Sequence, residues 1–342
     1  MHVSIRIPPF APVPDVTEFV RRCEEAGFDG VGFVDSQMLL RDVFVVLAHA
    51  AAATSRLRLM PAVANPLTRH VSVLASAARS LYDIAPGRNE VWLGRGFSSV
   101  NLVGLPYATI RQMRETVRTY KRLLAGEWDV FPGVHSRMYD ARDVPLYLVA
   151  SGPRAMQLGG EVADGVMVSV GPRLEKLAQA RRLVAEGARQ AGRDPETVDF
   201  IACLITVIRE RREEAYEWAS PLCAGRLNNH VWLAENGIDA RGLTTPSELE
   251  HIYPDLFHAE DWGRARQLSA FLPFDLRAQM CDAIGLIGTP EDCLHRLRQF
   301  YEAGIRRVFL MTVGTTNFPE EEVRLYGEVI GPALRDLVRT VG

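Results

Sequence analysis

Residues 146–169 read LYLVASGPRAMQLGGEVADGVMVS. Leu146–Val149 is an apolar run of the kind that forms a strand buried on both faces. Ser151-Gly152-Pro153 then turns the chain, and proline suits the first position of a helix. Arg154–Val162 carries a helical pattern, and Gly165–Ser169 is a second apolar strand. Two such strands joined by a helical crossover form a parallel β-α-β unit.

The same unit recurs outward in both directions. Upstream, His2–Ile7, Gly30–Val34, Leu57–Val63 and Glu90–Leu93 read as strands. Asp15–Ala26, Val43–Thr54, His70–Ile84 and Arg111–Leu124 read as the helices that follow them. Downstream come a helix at Leu174–Ala191, a strand at Val198–Val207, a helix starting at Glu213–Trp218, a late strand at Arg306–Met311 and a closing helix at Glu320–Val338. Eight strands with helical crossovers predict an α/β fold of the (β/α)8 TIM-barrel type, with a doubly wound open sheet as the rival arrangement. Trp128–Asp143 is a short detour. The rhythm breaks from Pro221 to Ile287, a stretch without a strand of the expected type, and resumes at Thr289-Pro290, a helix cap followed by a first-turn proline. We read 1–342 as a single domain with a mostly helical insertion over 221–287, after strand seven. Loops on the C-terminal side of such barrels build the site.

Composition narrows the function. The 342 residues are 47% hydrophobic and 24% charged, with a net charge of −3, the profile of an ordinary globular chain. No basic stripe interleaved with aromatics points to nucleic acid. Lys121 and Lys176 are the only lysines among 39 basic residues. The five cysteines are an odd number, widely spaced and without a CxxC, which argues against a disulfide framework or a zinc site. The N-terminus reads as a strand, no run is long enough for a membrane span, and a cytoplasmic location is expected.

Three groups of residues carry candidate chemistry. Ser151-Gly152-Pro153 and Ser169-Val170-Gly171 occupy equivalent strand-to-helix turns in adjacent units, where backbone amides and a helix N-terminus can cradle a phosphate. Gly94-Arg95-Gly96, after strand four, lets a flat ligand or an anion approach closely, although the rest of a dinucleotide fingerprint is missing. At other strand ends, Asp35 is a candidate partner for a cofactor edge, Asn65 follows strand three, and His70 is a candidate proton carrier. No HExxH, GxSxG or Walker A motif occurs, and no metal ligands are predicted.

Taken together, several segments resemble the bacterial luciferase-like flavin and deazaflavin oxidoreductase superfamily, in particular its methylenetetrahydromethanopterin reductase-like branch. They are Ala26-Gly27-Phe28-Asp29-Gly30-Val31, Val34-Asp35-Ser36-Gln37, Asn65-Pro66-Leu67-Thr68-Arg69-His70, Leu93-Gly94-Arg95-Gly96, Ser151-Gly152-Pro153, Ala163-Asp164-Gly165-Val166-Met167-Val168-Ser169 and Gly288-Thr289-Pro290-Glu291. The resemblance implies a (β/α)8 barrel, a homodimer, and a cofactor lying across the strand ends. It implies a phosphate at Ser151, Gly152, Pro153, Ser169, Val170 and Gly171. It also implies a cis peptide at Ala62–Val63 beneath the ring, with Asp35, Asn65, Gly94, Arg95 and Gly96 close to the ring or its side chain.

Departures limit the carry-over. Ser36 stands where some deazaflavin dehydrogenases have histidine, Phe97 stands where relatives often have an acid, and Arg6-Ile7-Pro8 offers no carboxylate. The resemblance therefore implies an oxidoreductase using coenzyme F420 to pass a hydride to a small organic substrate. Asp35, His70 and Arg95 are the catalytic candidates. An FMN-dependent two-component monooxygenase and a non-catalytic flavin-binding barrel are the alternatives.

Overall fold

A computed structural model describes residues 1–341. Its strands are β1 (His2–Ile7), β2 (Gly30–Phe33), β3 (Arg58–Pro61), β4 (Val91–Leu93), β5 (Leu146–Ala150), β6 (Gly165–Val168), β7 (Asp199–Ile208), β8 (Gly285–Gly288) and β9 (Arg307–Thr312). All pairings between them are parallel, in the order β3-β2-β1-β9-β7-β6-β5-β4. The circle closes between β4 and β3, where the ladder is reduced to two parallel bridges, Leu59 with Asn89 and Ala64 with Leu93. Glu90 N donates to Leu59 O and Ala64 N to Trp92 O, each at 3.0 Å. The predicted (β/α)8 barrel is the observed fold.

One expectation is corrected. The stretch 221–287 was expected to hold no strand, yet it ends in β8. β6 pairs with the first half of β7, Asp199–Ala202. β8 pairs with Ile205–Ile208 further along β7. Ten residues of β7 thus offer more edge than β6 uses, and the surplus backbone groups are satisfied by β8. The closing helix also differs from a single uninterrupted span. It runs Glu320–Leu325, widens into a π turn at Tyr326–Ile330, and resumes at Gly331–Val341. Pro332 has no N–H for the ordinary helical ladder, which accounts for the wider turn.

The barrel interior is filled by Met60, Trp92, Tyr147, Met167, Ile201, Cys203 and Phe309. Phe309 meets Trp92 edge-on at 5.0 Å. A Cβ at position 32 would stand 2.8 Å from the Phe309 ring, so Gly32 makes room for it. The N-terminal end is plugged by charge. Arg307 donates to Glu90 at 2.9 Å and contacts Asp199, while the Trp92 indole donates to Glu90 at 2.9 Å. Near the other end, the Arg6 guanidinium donates to the carbonyls of Thr312 and Gly314, at 2.9 and 3.0 Å, tying β1 to the end of β9. Burial pulls that guanidinium down to about 10.

The insertion has its own apolar core. Leu222, Leu233, Trp262 and Met280 pack with Ile205 and Val207 of β7 and Ile287 of β8. That packing seats the insertion over the C-terminal half of β7, on the side where the candidate site lies.

Candidate active site

The C-terminal ends of β4, β5 and β6 enclose a cavity of about 1050 Å³. Val63, Gly94, Arg95, Gly96 and Phe97 line one side. Ser151, Gly152, Pro153 and Ser169 line the other. Residues far apart in the chain, singled out from three separate turns, therefore meet around one space.

The Ser151–Pro153 side presents the start of a helix to the cavity. The helix Pro153–Val162 has Gly152 as its N-cap and no side chain that caps it. Pro153 has no N–H and the Ala155 and Met156 amides bond the Gly152 carbonyl, which leaves the Arg154 amide, reinforced by the helix dipole, toward a ligand. Gly152 has ordinary extended backbone, φ −119°, and a Cβ there would meet nothing within 4 Å. That empty volume belongs to the cavity. In the neighbouring turn, Gly171 has φ +81° and a Cβ would lie 3.2 Å from the Ala283 carbonyl, so glycine is required. Arg111 and Arg154 join Arg95 in the cavity wall. Among the described residues none of these three arginines makes an ion pair. Arg95 donates Nε to the Ala108 carbonyl at 2.6 Å and lies near the Tyr107 ring.

The opposite side departs from several expectations. The Ala62–Val63 peptide is cis and Val63 lines the cavity. Asp35 is buried, but Arg69 holds both its oxygens, through Nε at 3.0 Å and Nη2 at 3.2 Å. Burial raises the Asp35 pKa, and the Arg69 guanidinium opposes the rise. The carboxylate is engaged before any ligand arrives. Asn65 is fully committed. Its Nδ2 donates to Thr68 Oγ1 at 2.8 Å and Ser99 Oγ at 3.1 Å, and its Oδ1 accepts from the amides of Leu67 and Thr68. It ties the β3 loop to the turn after β4 and has no capacity left for a cofactor. His70 is the N-cap of the helix Val71–Ile84. Its Nδ1 meets Ser72 Oγ at 2.7 Å and its ring stacks on Phe131. It is exposed and outside the cavity wall, which removes the geometric ground for a proton-carrier role. The Ser36 hydroxyl, beside Asp35, is buried without a partner.

Two further features come from the insertion. The His258 ring lies 5.2 Å from that of Phe97, and its Nδ1 is held by Asp255 at 3.0 Å. Burial pushes Asp255 up, but the imidazole and the amides of Phe257 and His258 outweigh it and leave the carboxyl below its ordinary value. Arg226 faces a second, smaller cavity, beside Ser151 and Ser169. Both were hidden in a stretch whose apolar pattern is irregular. Among the described residues no cluster of His, Cys, Asp and Glu could hold a metal ion, and no helix is long and apolar enough to cross a membrane. The five cysteines are free and buried.

Fold and cavity define a (β/α)8 barrel with a ligand site of large, partly cationic character at its strand C-termini. The chain belongs to the luciferase-like monooxygenase family, whose model matches residues 2–307. It is 28% identical over 344 residues to the 5,10-methylenetetrahydromethanopterin reductase of Methanolobus tindarius, covering 97% of this chain and 100% of the relative. It is 27% identical over 353 residues to the F420-dependent glucose-6-phosphate dehydrogenase of Nakamurella multipartita, covering 95% and 93%. In fold it is similar to the coenzyme F420-dependent tetrahydromethanopterin reductase of Methanopyrus kandleri, with a TM-score of 0.79, 23% identity and 97% and 99% coverage.

Proposed function

We propose that this chain is an F420-dependent oxidoreductase that transfers a hydride between the reduced deazaflavin and a small organic substrate. The observation that carries the reading is the convergence on one cavity of an uncapped helix N-terminus, the Gly94–Gly96 turn and three arginines without acids. Such a site accepts a flat ligand bearing a phosphate. Among the proteins that match nearly the whole chain, a glucose-6-phosphate dehydrogenase and a tetrahydromethanopterin reductase of known structure are both named for F420. The shared property is the cofactor.

In this reading Ser151, Gly152, Pro153, Ser169, Val170 and Gly171 hold the phosphate. Ala62, Val63, Gly94 and Gly96 lie against the ring, and Arg95 neutralises charge at the cavity wall. The bound deazaflavin supplies hydride chemistry. The chain's own part is to fix the ring against the acceptor and to exclude water. Asp35 acts through Arg69, setting the shape of the β2 and β3 ends, and is a positioning residue. The reading includes a cytoplasmic homodimer, on the family resemblance.

Titration with F420 and with FMN, followed by fluorescence, tests the proposal. Micromolar or tighter binding of F420, with turnover of the reduced form in an acceptor screen, is the expected result. Micromolar FMN binding without F420 binding would overturn it in favour of a flavin-dependent monooxygenase.

A further inference from the structure

A cavity of about 380 Å³ lies on the far side of Ser151 and Ser169, which line both spaces. One wall is the barrel: Ser169, Gly171 and Cys203. The facing wall is the insertion: Arg226, Asn229 and Trp232. Arg226 sits between the helices Ser220–Ala224 and His230–Glu235. Its guanidinium gives one hydrogen bond, Nη1 to the Leu222 carbonyl at 3.0 Å, and lies 5.6 Å from the centre of the Trp232 ring. Among the described residues it makes no ion pair.

The other two cations of this cavity are tied to the end of the helix His230–Glu235. Lys176 pairs with Glu235 at 2.8 Å. Arg173 donates to the Glu235 carbonyl at 2.9 Å and to Asn236 Oδ1 at 3.4 Å. Arg226 has one hydrogen bond for five donors and, unlike Lys176, no ion pair among the described residues. Burial, which no carboxylate offsets, draws its pKa below the ordinary arginine value. A half-buried guanidinium with five donors and one bond has donors left for an acceptor in the cavity it lines. Its planar fork suits two oxygens of one anion, and the Asn229 amide in the same wall and the Ser169 hydroxyl in the facing wall line the space where the coordination would be completed.

The geometry points to an oxyanion site in this cavity, in which Arg226 from the insertion closes on the Ser169–Gly171 turn around a phosphate or carboxylate group. The group comes either from the phosphate of the cofactor or from an acidic acceptor substrate. The inference deepens the proposed function, yet its first test does not depend on that reading, because the probe is inorganic phosphate.

Calorimetric titration of inorganic phosphate into the wild type should show saturable binding, weakened at least tenfold in Arg226→Gln and largely restored in Arg226→Lys. Asn229 caps its helix by accepting from the Trp232 amide, and aspartate caps equally well. Asn229→Asp therefore keeps the fold while adding a negative charge to the wall, and should also weaken phosphate binding. It serves as the readout if Arg226→Gln fails to fold. Absence of saturable phosphate binding by the wild type, or equal binding by the wild type and both the Gln and Asp variants, would overturn the site.

The source of the anion is read from cofactor affinities. If Arg226→Gln weakens F420 and spares the phosphate-free deazaflavin, the cofactor supplies the group. If it spares both while weakening inorganic phosphate, the acceptor does. Failure of F420 to bind at all would refute the cofactor reading and leave the phosphate titration standing.

Discussion

Asn65 and Gly152 show how differently two strand-end residues can serve one site. All four hydrogen-bonding positions of the Asn65 amide are filled by protein groups. Gly152 faces open space with an unstrained backbone. Gly152→Asp should therefore fold normally and lose affinity for the phosphate-bearing cofactor by a hundredfold or more, because it puts a carboxylate at the proposed phosphate site. The checks are a fluorescence titration and an unchanged melting temperature, and retained affinity would remove the Ser151–Pro153 turn from the site. The turns were legible in the amino-acid sequence because glycine and proline between apolar runs have a local meaning. What engages Asp35, Asn65 and His70 was not legible. Arg69, Ser99 and Phe131 are brought to them by folding, and no local pattern announces a partner that is itself a generic polar or aromatic residue.

Among the elements, the helix that follows the proposed phosphate turn is held by unusually close backbone contact. Pro153–Val162 packs on Leu174–Gln190 through Gly160 and Gly187. A Cβ at Gly187 would lie 1.9 Å from the Gln157 carbonyl, and one at Gly160 would lie 1.9 Å from the Val184 carbonyl. Gly187→Ala should force the helices apart, cost about 2 kcal/mol or more, as overpacking does, and weaken cofactor binding as the turn shifts. A melting temperature and cofactor affinity equal to those of the wild type would refute this coupling. Long periodic helices were legible to within a residue or two. β8 was not, because Gly285-Leu286-Ile287-Gly288 is short and follows directly on the helix Phe274–Ile284, with no intervening turn to mark a new element.

In the whole molecule, stability and ligand binding are divided between the two ends of the barrel. Glu90 is 2% exposed and receives Arg58, Arg307 and the Trp92 indole at the N-terminal end. Removing one partner of such a buried network costs about 3–5 kcal/mol. Glu90→Ala should thus lower the melting temperature by several degrees and leave cofactor affinity unchanged in the folded protein; a parallel loss of affinity would show that the two ends are coupled. The eightfold alternation was legible because it repeats, whereas the insertion, which has no repeat, hid Arg226 and the Asp255–His258 pair. The manner in which that insertion is attached has a further consequence. It leaves the barrel at the end of β7 and returns through β8 on the edge of the same strand, with Ile208 opposite Gly288. Departure and return are neighbours in one sheet, and the eight barrel strands pair in sequence around the circle whatever lies between them. The segment is therefore attached as a cassette: exchanging it for one of different length would leave the barrel pairing, and with it the proposed cofactor cradle on β4 to β6, intact.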